Sequence, residues 1–146
     1  MKMKNTTGCR MAASPVRVTR ELLSEALPLL EQEFAALLRS KGLFLWRGST
    51  TDLMELVYHI YVNGNFRDES GYPVSLIALA THTCQFFGVP LPDNPYALAI
   101  RAKNRKGVKC PSMLHRFAFL RCIVGVSNPL QRHIGRIVRV TERRPS

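Results

Sequence analysis

Apolar residues recur with the period of a helix in several stretches of this chain, and the stretches are separated by capping and turn residues. From Thr19 onward, Leu23, Leu27, Leu30, Phe34 and Leu37 or Leu38 fall on one stripe, which Ser40-Lys41-Gly42 ends. Pro28 lies inside that stripe. Proline lacks the backbone N–H and its ring clashes with the preceding turn, so the sequence predicts a kink there or a break into two short helices. A short apolar run, Leu43 to Trp46, reads as a strand, and Gly48 turns the chain. Ser49 then suits an N-cap, with Asp52 placed to reach back in a capping box. Leu53, Leu56, Val57, Ile60 and Tyr61 follow at i, i+3, i+4, i+7 and i+8, and Asn63-Gly64 supplies the C-cap.

Asn65 to Tyr72 is polar turn sequence. A second core helix is expected from about Pro73 to Phe87, closed by Gly88, with Leu76, Ala80, Cys84 and Phe87 on one side. No formal charge occurs from Ser70 to Pro92, which predicts a helix covered on more than one face. Thr81, His82, Thr83 and Gln85, with prolines at 73 and 90, make this run too short and polar to span a bilayer. Asn94-Pro95 opens a third helix, expected over 94–106, with Tyr96, Ala99 and Ile100 facing inward. Pro111-Ser112 opens a fourth, carrying Leu114, Phe117, Leu120 and Val124. Beyond Gly125 the pattern is broken by Pro129, His133 and Gly135. Ile137, Val138 and Val140 then alternate with Arg136 and Arg139 as a short strand would. The sum is a mainly α, compact helical bundle with a minor β component. Its length of 146 residues suits one domain. Residues 1–18 are expected as a basic disordered tail, 19–125 as the helical domain, and 126–146 as a second basic tail.

One set of linked motifs resembles a known family. Trp46, Gly48, Ser49, Thr51, Asp52, Leu53, Glu55, Leu56 and Tyr58 form the pattern Trp-x-Gly-Ser-x-Thr-Asp-Leu-x-Glu-Leu-x-Tyr. With Ile77-Ala78, Phe86-Phe87-Gly88-Val89, Tyr96 and the Ile100-Arg101-x-Lys103-Asn104-Arg105 run, it is similar to the C-terminal region of the RteC family. Those proteins belong to conjugative transposons of Bacteroides-type bacteria and regulate element excision. The likeness covers 43–120, roughly half the chain. It implies a DNA-binding domain of winged-helix or helix-turn-helix type in a transcriptional regulator. In such an arrangement Phe66 would pass back alongside the Leu43–Trp46 strand, and the strand after Gly135 would be a wing.

Charge sharpens this picture. Residues 1–20 hold five basic residues and no acid, 21–100 hold four basic against nine acidic, and 101–146 hold twelve basic against Glu142 alone. The total of +11 is thus a basic end on a mildly acidic body, a footprint for a polyanion. Within it, Arg101, Lys103, Arg105, Lys106 and Lys109 gather at the end of the third helix, more cations than a helix dipole needs. Lysine and arginine neutralise phosphates, arginine forks onto guanine and asparagine pairs with adenine. Arg101, Lys103, Asn104, Arg105, Lys106 and Lys109 are therefore the candidate contacts to double-stranded DNA.

Catalysis is not expected. The chain has no glycine-rich phosphate loop, nucleophile elbow or His-Glu-x-x-His string. Asp52 and Glu55 share a helix, but Asp52 reads as a cap and Glu55 as solvent-facing or ion-paired. Cys9, Cys84, Cys110 and Cys122 are far apart, and His82-x-Cys84 with His115 lacks the close ligand pairs of a zinc site. No metal or other cofactor is expected, and a reducing cytoplasmic setting with free thiols is. Trp46 reads as a core anchor rather than a stacking platform. Two functions fit: a DNA-binding regulator acting through the third helix, or a helical protein-interaction module, a truncated relative without sequence-specific DNA binding. The latter would dock on a partner or a second copy through the Leu23–Leu38 stripe.

Overall fold

A computed structural model describes residues 17–105 and 111–136. Helix α1 spans Arg20–Arg39, and Thr19 caps it by accepting the Leu22 N–H at 3.1 Å. The helix is continuous through Pro28, so of the two expectations, a kink or a break, the break into two helices does not occur. Pro28 and Ser24 both lie on its exposed side, so the carbonyl that proline leaves without a donor opens to water.

Strand β1, Phe44–Trp46, feeds helix α2, Thr50–Asn63. Ser49 caps α2 as expected, its Oγ accepting the Asp52 N–H at 3.0 Å. Trp46 Nε1 donates to the Ser49 carbonyl at 2.8 Å, which ties the ring to the same cap. Gly48 fits this corner because an added Cβ would stand 3.0 Å from the Trp46 ring and 3.2 Å from His133 Nδ1. Gly64, at φ 75°, closes α2 in the left-handed conformation. From Asp52 to Val57 every residue of α2 is buried, because α1 and three later helices surround it.

Helix α3, Leu76–Phe87, starts after Ser75, while Pro73 belongs to an isolated bridge with Arg67. Leu76, Ala80, Cys84 and Phe87 are buried as expected. Ile77, Ala78, His82 and Gln85 are exposed, so the uncharged helix is covered on one side rather than on several. Helix α4, Pro95–Lys103, is capped by Asn94 and ends three residues before the expected boundary. Helix α5, Met113–Ala118, is capped by Ser112 and runs on as a π-helical segment, Phe119–Val124. Gly125, at φ 93°, ends it. A 3₁₀ turn, Pro129–His133, leads into β2, Ile134–Arg136.

The fold is mainly helical with one two-stranded sheet. β1 and β2 pair antiparallel, with Phe44 opposite Arg136, Leu45 opposite Gly135 and Trp46 opposite Ile134. The partner of β1 is therefore β2 and not the Phe66 segment. Phe66 instead lies under the Arg39 guanidinium, 5.0 Å away. Residues 126–136 are part of the fold rather than a tail. Pro129 and Leu130 are buried, and the Leu130 N–H donates to Glu33 at 3.2 Å. The strand expected at 137–140 lies outside the described residues, as do residues 1–16 of the N-terminal tail. Phe87 centres the core, with Phe34 at 6.5 Å and Trp46 at 5.6 Å between ring centroids. Of the α1 stripe, Leu30, Phe34, Leu37 and Leu38 are buried with Ala26 beside them, while Leu23 and Leu27 are half-buried.

Candidate nucleic-acid interface

Helix α4 buries Pro95, Ala99 and Ala102, which recur at i, i+4 and i+7. These small side chains let α4 lie close against α2, its main packing partner. The larger residues consequently turn outward. Tyr96 is 53% exposed and Ile100 half-exposed, where the sequence pattern placed both inward. Ala97, Arg101 and Asn104 are exposed beside them. The outward face thus reads Tyr96, Ala97, Ile100, Arg101 and Asn104. It combines methyl groups, a forked cation and an amide, the side-chain types that read base edges in a major groove. Lys103 flanks this face. Its Nζ donates to Asn104 Oδ1 at 3.3 Å and sits 5.5 Å above the Tyr58 ring.

Arg105 belongs elsewhere. Its Nη2 donates to Asp52 Oδ1 at 2.7 Å and to Glu55 Oε1 at 3.3 Å, and its Nε to the Ala102 carbonyl at 3.0 Å. Arg116 joins from α5, its Nη2 donating to Asp52 Oδ1 at 2.5 Å and its Nε to the Pro111 carbonyl at 3.2 Å. Glu55, fully buried, also accepts the Met113 and Leu114 N–H groups at 2.7 and 3.0 Å, and His59 Nε2 lies 3.3 Å from it. Burial alone would push the Asp52 carboxyl up, but the Arg116 and Arg105 contacts outweigh it and hold the group below its ordinary value. These contacts correct one expectation and decide another. Asp52 does not reach back to cap its own helix; of the two readings of Glu55, solvent-facing or ion-paired, the second holds, and Glu55 also caps α5. Of the six candidate residues, the structure brings Arg101, Lys103 and Asn104 together at the surface and turns Arg105 into this network. Lys106 and Lys109 lie outside the described residues.

The sequence reading missed two features. The first is the partnership of Asp52 and Glu55 with Arg105 and Arg116. Only the spacing of two acids and His59 on one otherwise apolar helix hinted at it. The second is a group of tyrosines, Tyr58, Tyr61 and Tyr96, that the α2–α4 contact assembles beside Lys103. Elsewhere, Trp46 is packed between Phe87 and His133, at 5.6 and 5.4 Å, as a core residue. Burial depresses the His133 imidazole below its usual value and outweighs the opposing pull of Asp52. Among the described residues, no three His, Cys, Asp or Glu side chains gather where they could hold a metal ion. Nor is any described helix long and apolar enough to cross a membrane. No family model, curated protein or solved structure matches the chain.

Proposed function

We propose that this chain is a DNA-binding transcriptional regulator of the RteC type, reading double-stranded DNA through α4. As the resemblance implies, it would control excision or transfer genes of a mobile element from the cytoplasm. The observation that carries this reading is the outward face of α4. Arg101 and Asn104 stand exposed one turn apart beside Ala97 and Ile100, on a helix whose buried residues are Pro95, Ala99 and Ala102. Arginine and asparagine supply bidentate partners for guanine and adenine, while alanine and isoleucine offer apolar contact to thymine methyls. The positive charge concentrated after residue 100 supplies the phosphate attraction, with Lys106 and Lys109 assigned to the backbone. Helix α3, the turn from Gly88 to Asn94 and α4 would form the helix-turn-helix pair. The unpaired thiols of Cys84 and Cys122 accord with a reducing compartment. The alternative, docking through the Leu23–Leu38 stripe, has less support, since Leu30, Phe34, Leu37 and Leu38 are buried within the chain and Leu23 and Leu27 are half-buried.

Gel shifts across a salt series test the reading. Binding should weaken steeply with salt and favour some duplexes over others. Arg101→Ala and Asn104→Ala should each cost about 1–3 kcal/mol on a preferred duplex and less on random DNA. Unchanged affinity in both variants would remove α4 as the reading element. Absence of duplex binding by the wild-type chain at low salt would remove the function itself.

A further inference from the structure

Three tyrosines meet where α2 crosses α4. Tyr58 is half-buried, and its ring centroid lies 6.5 Å from that of Tyr61 and 6.4 Å from that of Tyr96. The interplanar angles are 50° and 55°, so the rings are not stacked face to face on one another. Tyr61 is 38% and Tyr96 53% exposed. Exposed aromatic rings in a cluster forgo burial that a folded chain normally gives them, which marks a surface made to be covered. Lys103 closes one end, its ammonium 5.5 Å above the Tyr58 ring. Arg101 stands on the outward face of the same helix as Tyr96.

We propose that Tyr61 and Tyr96, carried by Tyr58, form a stacking site for an unpaired nucleobase, and that Lys103 takes the adjoining phosphate. The inference rests on the nucleic-acid reading of α4 and adds a ligand class to it: a single-stranded or bulged nucleotide beside the duplex-facing residues. Two observations favour this occupant over a protein surface. The cation at the cluster, Lys103, belongs to a chain of net charge +11 whose basic residues crowd into the segment beginning at residue 101. No acidic side chain forms a hydrogen bond to Lys103 among the described residues. Aromatic faces beside a cation are the recurrent platform for unpaired bases, because every base has a π-face and each carries a phosphate. Tyr58 would serve as a positioning residue, holding its two exposed neighbours at a fixed separation.

Fluorescence-anisotropy titrations of the full chain separate the outcomes. The probes are a thymidine-rich single strand, a fully paired duplex, and the same duplex with one unpaired thymidine. Tyr61→Ala and Tyr96→Ala should each weaken binding to the single strand and the bulged duplex by about fivefold to a hundredfold, the effect of removing one base–aromatic stack. For Tyr61→Ala, which lies on α2 outside the duplex-facing helix, binding to the fully paired duplex should change by less than about twofold, and Tyr96→Phe, which keeps the ring, should behave as wild type on all three. Thermal melts of the same variants should coincide with wild type, since both rings are exposed. Loss of affinity by Tyr61→Ala on all three probes alike, or by both variants on none, overturns the stacking site. A concentration-dependent dimer that Tyr96→Ala dissolves also overturns it, assigning the tyrosines to contact with a second copy. Salt-sensitive duplex binding in the wild type, with single-strand and bulge binding unchanged in every tyrosine variant, leaves the α4 reading standing without the stacking site. Failure of the wild-type chain to bind any probe removes both.

Discussion

Glu33 shows how one side chain sets a pH dependence. It stands half-buried on α1, and burial pushes its carboxyl from the ordinary 4.5 up to about 7, against the pull of the Leu130 N–H and the Arg121 charge. Between those two values the folded chain holds a proton that the unfolded chain has released. Glu33's contribution to stability is therefore greatest below about pH 4.5 and falls as the pH rises through about 7, where burying the charged carboxylate costs most. Glu33→Gln keeps an oxygen to accept from Leu130 but does not titrate. The melting temperature of the wild type should drop relative to this variant between about pH 5 and about pH 8. Two melting profiles that stay parallel over that range would show that Glu33 does not titrate there. Asp52 has the opposite sign: its depressed pKa adds stability at neutral pH that is lost as pH falls below 3.8 toward the depressed value. The sequence marked the local caps correctly at Ser49 and Asn94, because capping depends on residues three positions apart. It could not mark Glu33 or Asp52, whose partners Leu130 and Arg116 lie far along the chain.

At the scale of elements, α2 joins the end of α4 to the start of α5. Glu55 accepts the first N–H groups of α5, so one helix caps another, while Asp52 gathers an arginine from each side. A buried network of this kind is costly to break, because removing one member leaves charge unpaired out of water. The side chain of Arg116 is 10% exposed and that of Arg105 22%. Arg116→Ala should therefore cost about 3–5 kcal/mol in urea unfolding, and Arg105→Ala clearly less, since Asp52 keeps Arg116 and water reaches the gap. Equal losses in the two variants would mean that the carboxylates do not depend on Arg116 as the geometry indicates. Arg105 is consequently a poor probe of DNA contact: its replacement would weaken the fold and binding together. The order of the main helices was legible from periodicity and capping residues, but the continuity of α1 through Pro28 was not. The pairing of β1 was not, because three-residue strands carry too little pattern to specify a partner. The inward face of α4 was misread for a related reason. Apolar periodicity favours Tyr96 and Ile100, whereas close packing on α2 selects Ala99 and Ala102.

Over the whole molecule, the question is which cations a polyanion would meet. Twelve of the 21 basic residues follow residue 100, yet Arg105 and Arg116 are engaged with carboxylates inside the fold. Arg101 and Lys103 remain at the α4 face, Arg132 is exposed near β2, and Arg139, Arg143 and Arg144 continue the chain beyond it. If α4 reads bases and the later arginines only neutralise phosphates, the two sets should separate in a salt titration. Replacing Arg139, Arg143 and Arg144 together with glutamine should lower the magnitude of the log–log salt slope by up to about 2.7, about 0.9 for each phosphate that is no longer neutralised. It should weaken preferred and random duplexes by the same factor, leaving their ratio unchanged. Asn104→Ala should do the reverse, keeping the slope, since an amide releases no counterion, and lowering the ratio by about 1–3 kcal/mol. Arg101→Ala should shift the ratio in the same direction. Competition titrations with both duplexes at several salt concentrations measure slope and ratio in one experiment. If the triple replacement erases the preference while the α4 variants retain it, sequence reading belongs to the C-terminal arginines and α4 is no more than a neighbouring face of the fold.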